Sequence, residues 1–138
     1  MNAKRILLAG AAAGVVLNLI DTPWSVVAMV PYLARFNAEH GHVASPFTGP
    51  WFLVTHFAFT TMIAWLYALA TPRYGAGLRT ALMVGGAMLT INRMFGAGNV
   101  LLGWISLGGF LGFSLSFVVG VLAASVVAAK IIDRHPSS

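Results

Sequence analysis

The chain contains no cysteine. Disulfides, thiolate metal centres and thiol redox chemistry are therefore excluded, and cysteine usage says nothing about compartment. Charge is almost as scarce. Only 8% of the 138 residues are charged, and the acidic ones are Asp21, Glu39 and Asp133 alone. Water-soluble domains carry about a quarter charged residues. With 59% hydrophobic residues and a mean hydropathy of +0.86, this composition belongs to a membrane protein. Other absences narrow the function. Gly75 and Gly77 follow no strand and lack the lysine-serine or lysine-threonine ending, so they form a tight turn and no phosphate loop. No arginine stripe interleaved with aromatics points to nucleic acid. No nucleophile or oxyanion arrangement points to an enzyme.

What is present is apolar sequence in four long runs: Ile6 to Val30, Trp51 to Ala70, Leu78 to about Ala97, and about Ser106 to Ile132. Each reaches the roughly 20 residues that a helix needs to span a bilayer core. The first run is too long for the apolar part of a signal peptide, about 7 to 15 residues, and is read as a retained helix. The expected fold is an all-α membrane protein of one domain, residues 1–138. It is a four-transmembrane-helix bundle with spans near 6–30, 51–70, 78–97 and 106–132 and an external loop over 31–50. Lys4, Arg5, Arg73, Arg79, Lys130 and Arg134 fall on one side and Arg35 and Arg93 on the other. The positive-inside rule then places both termini in the cytoplasm, with a bacterial inner (plasma) membrane as the expected location. The net charge of +5 is mainly this orientation signal.

Small residues recur at spacing four. Helix one carries Gly10, Gly14, Asn18 and Thr22, and the last helix carries Gly108, Gly112, Ser116, Gly120, Ala124 and Ala128. Such stripes let backbones approach closely and are expected to be packing faces. Pro23 removes a backbone donor and crowds the carbonyl of Leu19, so helix one should kink there, or break and restart with Thr22 as cap.

Within this apolar frame the polar residues stand out. An ionised carboxylate in a hydrocarbon layer must be paired, wetted or protonated, which singles out Asp21. At 1.5 Å per residue, Asp21 lies about 22 Å above Ile6, Arg93 about 20 Å above Thr80, and His56 about 8 Å below Trp51. An acid, a base and an imidazole thus share one layer, with Asn18, Thr60, Thr90 and Asn92 near enough to supply hydrogen bonds. The expected arrangement is an Asp21–Arg93 ion pair with His56 beside it. A haem would want a second axial ligand that no other span supplies, and no cofactor is expected. In the outer loop Glu39, His40 and His42 offer nitrogen and oxygen donors at close spacing. A zinc site needs three or four donors held in place, which a flexible loop does not provide, so no metal is expected there.

The residues Ala9, Gly10, Ala13, Gly14, Asn18 and Asp21, then Trp65 to Tyr67 and Pro72 to Ala81, form a pattern that resembles an uncharacterised family of small four-span bacterial membrane proteins. The likeness covers roughly the first two thirds of the chain and implies topology, with no activity to carry over. Size, span count and an acid in helix one are also similar to the small multidrug transporters, from which the long outer loop and Arg93 depart. Three functional expectations follow. The first is a non-enzymatic protein that packs through its glycine faces as a homo-oligomer or within a larger membrane complex. The second is a small oligomeric transporter in which Asp21 takes up a proton or cation. The third, with least support, is an enzyme acting on a lipid or quinone through Asp21 and His56.

Overall fold

A computed structural model describes residues 2–41 and 47–134. The described residues are helical almost throughout: α1 (Ala3–Trp24), a π-helical turn (Ser25–Met29), α2 (Val30–His40), α3 (Thr48–Tyr74), α4 (Leu78–Leu101) and α5 (Leu107–Asp133). The first three segments form one continuous helix, so the architecture is a four-helix bundle.

Local chemistry sets the helix ends. Asn2 caps α1, accepting from the Lys4 N–H at 3.1 Å, and Ser106 caps α5, accepting from the Gly109 N–H at 3.1 Å. Pro23 and Pro31 lack the N–H groups that would bond Leu19 and Val27. The helix neither breaks nor restarts at Pro23. It widens instead between the two prolines, where the Val30 N–H donates to the Ser25 carbonyl five residues back. A wide turn just before Pro31 gives the ring room against the preceding carbonyls. Residues 31–40, expected as loop, are consequently helical. Pro31 follows the wide turn directly, and the helix stops at Gly41 with φ +66°, a left-handed conformation suited to glycine.

Contacts fix an up-down-up-down arrangement. On α1 and α3, Gly10 meets Thr61 and Gly14 meets Phe57; between α5 and the first helix, Gly120 meets Leu17 of α1 and Gly112 meets Met29 of the π-helical turn; on α4 and α5, Gly85 meets Ser125 and Gly96 meets Phe110. In each pairing the residue numbers run in opposite directions. Arg5 Nε donates to the Ile131 carbonyl at 3.4 Å, so the start of α1 and the end of α5 lie at one end of the bundle. That end is closed by Tyr67, fully buried on α3. Its hydroxyl reaches both carboxylate oxygens of Asp133 at 2.9 and 2.8 Å and accepts from the Gly77 N–H at 2.7 Å. The tight α3–α4 turn runs through Gly75 and Gly77, both at positive φ.

Small residues are interleaved with a few large ones, Ile63, Tyr67 and Phe117 among them, in the core. Ala9, Ala13 and Leu17 of α1, Ala64 of α3, and Val121, Ala124 and Ala128 of α5 are all fully buried. Alanine and glycine bring the helix axes close, so dispersion contacts replace bulky side chains as the source of cohesion. Large apolar residues face outward instead, among them Leu7, Leu8 and Leu19 of α1 and Leu111, Leu115 and Val119 of α5. Three helices are long and apolar enough to cross a membrane: Ala3–His40, Thr48–Tyr74 and Leu107–Asp133. Helix α4 is more polar, diluted by Arg79, Asn92, Arg93 and Asn99. An outward apolar surface on long helices whose backbone bonds are made within each helix is what a bilayer demands, and the chain is an integral membrane helical protein.

Candidate functional site

The end of the bundle away from Arg5 and Ile131 is open. A cavity of about 410 Å³ lies there, walled by Asp21 of α1, Leu33 of α2, His56 of α3, Arg93 of α4 and a set of aromatic rings. The three ionisable residues that helix rise puts in one layer thus reach one space. Asp21 and His56 are each only 7% exposed.

Asn18 is the residue that orients the site. Its Nδ2 donates to the Gly14 carbonyl at 2.8 Å, one turn back on α1, which leaves Oδ1 facing α3. His56 Nδ1 lies 2.9 Å from that oxygen. An amide oxygen only accepts, so Nδ1 carries a proton and donates. The ring is thereby fixed, with Phe52 and Phe117 tilted against it at centroid distances of 6.5 and 5.8 Å. The opposite nitrogen, Nε2, then points at Asp21 Oδ2 from 3.6 Å.

Asp21 draws on three elements. Ser116 of α5 donates to Oδ1 at 2.5 Å, and Ser25, the first residue of the π-helical turn, donates to Oδ2 at 3.4 Å. The Ser116 contact has the length of a charge-assisted O–H···O⁻ bond. The sequence reads Ser116 as one more small residue in a packing stripe. It is the one hydroxyl between Gly108 and Gly120 at that spacing, and this was the signal of its second role.

The expected Asp21–Arg93 ion pair does not form. No Asp21 oxygen lies within 4 Å of the guanidinium, and Asp21 pairs with His56 instead. Arg93 donates to Ser114 Oγ at 2.9 Å and to Asn92 Oδ1, and its guanidinium carbon sits over the rings of Phe117 at 4.7 Å and Phe110 at 5.6 Å. Both faces of that contact are favourable for a cation, whose charge the ring quadrupoles attract. Its Nε is buried and makes no hydrogen bond. Phe117 touches both the imidazole and the guanidinium, separating the two halves of the layer.

The other polar residues serve backbone. Thr60 Oγ1 donates to the carbonyls of Gly10 and His56 at 2.8 and 2.9 Å, and Thr90 to Gly86 at 2.9 Å. Trp24 Nε1 donates across to the Gly112 carbonyl at 2.9 Å. His40 turns its Nδ1 to the Phe36 carbonyl at 2.8 Å and stacks on Phe36. Glu39 shares its helix, while His42 lies outside the described residues; among the described residues no three metal-ligating side chains converge.

The glycine stripes pack inside this chain. A Cβ on Gly10 would stand 2.5 Å from the Thr61 Cα, one on Gly120 2.6 Å from Leu17 Cδ1, and one on Gly112 2.9 Å from Met29 Cε. Gly14 sits against the Phe57 ring, whereas Gly108 has open space around it.

Chemically the pair offers a place for one proton. With Nδ1 committed to Asn18, two arrangements satisfy the pair: imidazolium facing carboxylate, or imidazole facing carboxylic acid. They differ only in which side of one gap the proton occupies. At 3.6 Å the pair is at ion-pair distance, about 0.7 Å longer than an ordinary hydrogen bond.

Compared with protein-family models, with curated proteins and with solved structures, the chain matches none. The functional reading therefore rests on this geometry.

Proposed function

We propose that this protein is a proton-binding membrane protein, a small transporter-like bundle in which Asp21 and His56 together take up and release one proton at the wall of a cavity. One observation supports this above the others. His56 is held by Asn18 so that its free nitrogen addresses Asp21, and both groups border the cavity and not a sealed core. A pair needed only to fix helix register would have no reason to border an opening. Helix α4 completes the bundle as a fourth span, its Arg93 held within the protein by Ser114, Asn92 and the rings of Phe110 and Phe117. The basic residues Lys4, Arg5, Arg73, Arg79, Lys130 and Arg134 favour an orientation with both ends of the chain in the cytoplasm, and the cavity then opens outward.

The test is direct. In proteoliposomes with an imposed pH gradient, wild-type protein should dissipate the gradient faster than Asp21→Asn or His56→Phe. Infrared difference spectra between protonated and deprotonated samples should show a carboxyl or imidazolium band that is missing from Asp21→Asn. Equal flux and identical spectra in all three proteins would refute the reading. A reporter fused after Ser138 should be cytoplasmic and one inserted near Gly41 external; the reverse labelling overturns the orientation.

A further inference from the structure

The cavity holds a feature that proton binding does not use. Among the described residues, Arg93 lines this space with no carboxylate within 4 Å of its guanidinium, and the groups that its terminal nitrogens bond, Ser114 Oγ and Asn92 Oδ1, are neutral. The acceptors nearby are already engaged: Asn92 Oδ1 and Ser114 Oγ bond the terminal nitrogens, and both Asp21 oxygens are occupied by Ser116, Ser25 and His56. What the cavity lacks is therefore an anion in contact with Arg93: Asn99 and Thr55, which also line it, are neutral, and Asp21 is bonded elsewhere. Most of the remaining wall is aromatic, from Phe52, Phe59, Trp104, Phe110 and Phe113. A volume of about 410 Å³ is within the range of small-molecule sites.

We propose that this cavity binds an apolar monocarboxylate, with its carboxylate on Arg93 and its body among the aromatic rings, and that the anion enters together with the proton held by Asp21 and His56. The inference rests on the proton-site reading above and adds the ligand to it.

Charge balance supplies the coupling. Among the described residues, α1 brings Asp21 to the cavity, α3 His56 and α4 Arg93; α2 reaches it only through Leu33, and α5 adds phenylalanines and the neutral hydroxyls of Ser114 and Ser116. Arg93 is always a cation. With the pair deprotonated and the cavity empty, Arg93 and Asp21 cancel. With an anion on Arg93, the cavity is neutral only when the pair has gained a proton. The two neutral states are thus empty without the proton and loaded with it. A net charge in a low-dielectric space is disfavoured, so the intermediate states are sparsely populated. A cationic ligand would meet Arg93 with no free carboxylate oxygen to receive it.

The experiment uses the full chain in nanodiscs and phenylacetate as probe, with 2-phenylethanol and phenethylammonium as neutral and cationic matches. Phenylacetate should bind saturably and take up about one proton per anion, read with a pH-indicator dye. Above the titration of the empty pair its affinity should fall about tenfold per pH unit, as linkage to one proton requires. The two matched probes should bind at least about 10-fold more weakly, and Arg93→Gln should weaken phenylacetate by about 10- to 100-fold, the loss of a charge-assisted contact. Because Arg93→Gln also removes the contacts to Ser114 and Asn92, Thr55→Phe, on the partly exposed wall of the cavity, provides a second route: it should block the cavity while leaving both charges in place. Octanoate asks whether the body is an acyl chain supplied by the bilayer, and Arg93-dependent binding of either carboxylate supports the proposal. If neither carboxylate binds while the infrared titration of Asp21 persists, this inference falls and the proton site stands. If phenylacetate binds with no proton uptake and no pH dependence, the coupling is overturned. If Asp21 does not titrate at all, both readings fall together.

Discussion

His56 Nδ1 and Asn18 Oδ1 lie 2.9 Å apart, and this single bond aims the imidazole at Asp21. Removing it should do more than loosen a contact. Asn18→Ala leaves a buried ring donor without a partner, a loss of about 1 to 3 kcal/mol. The ring is also freed to rotate, so the nitrogen-15 resonances of His56 should change tautomer balance. Denaturation in mild detergent and histidine-labelled spectra measure the two effects. Unchanged spectra would mean that Asn18 does not set the tautomer.

The glycine stripe of α5 should divide by neighbour and not by spacing. A Cβ on Gly120 meets buried Leu17 at 2.6 Å, whereas one on Gly108 finds only Ser106 Oγ at 3.8 Å. Gly120→Ala is therefore expected to cost about 1 to 3 kcal/mol through overpacking. Gly108→Ala should be neutral or stabilising by up to about 1 kcal/mol, since alanine favours the helix. Equal thermal stabilities for both variants would contradict the packing described.

At the opposite end, Tyr67→Phe deletes the hydroxyl shared by Asp133 and the Gly77 N–H. Helices α3 and α5 and the turn into α4 lose their common polar tie. The expected destabilisation is about 1 to 3 kcal/mol, because the partners are left unsatisfied. Proteolysis at the Gly75–Gly77 turn should accelerate in the same variant. No change in either measurement would show the tie to be dispensable.

Height along a helix was legible in the sequence, and rotation about it was not. Counting helix rise from the ends of the apolar runs puts Asp21, His56 and Arg93 in one layer, and all three line the cavity. Which of them meet depends on a fraction of a turn. Asp21 faces Ser116 and His56, while Arg93 lies against Phe117 and Phe110, a placement that apolar periodicity does not encode. The glycine spacing marked close-packing faces but could not say whether another chain or this one fills them; Thr61, Leu17 and Met29 fill them from within. Helix α2 was hidden by Pro31 and by polar residues that read as loop, because a wide turn that accommodates a proline leaves no signature in composition.

The last prediction separates the two possible partners of Asp21. The observed contact is with His56, at 3.6 Å, while Arg93 bonds Ser114 and Asn92. Asp21→Asn and His56→Gln should each destabilise the protein by about 1 to 3 kcal/mol, because each leaves a buried polar partner without its contact. The double variant removes both partners, so it should recover part of that loss, with a coupling of about 0.5 to 3 kcal/mol expected for residues in one network. A parallel cycle between Asp21 and Arg93 should show a smaller coupling, because only the field across the cavity links them. The comparison is made by chemical denaturation of all variants in the same detergent, so that errors common to the medium cancel. A larger coupling for Asp21 with Arg93 than with His56 would mean that the carboxylate turns to the guanidinium in solution, and the proton would then have no imidazole to share it.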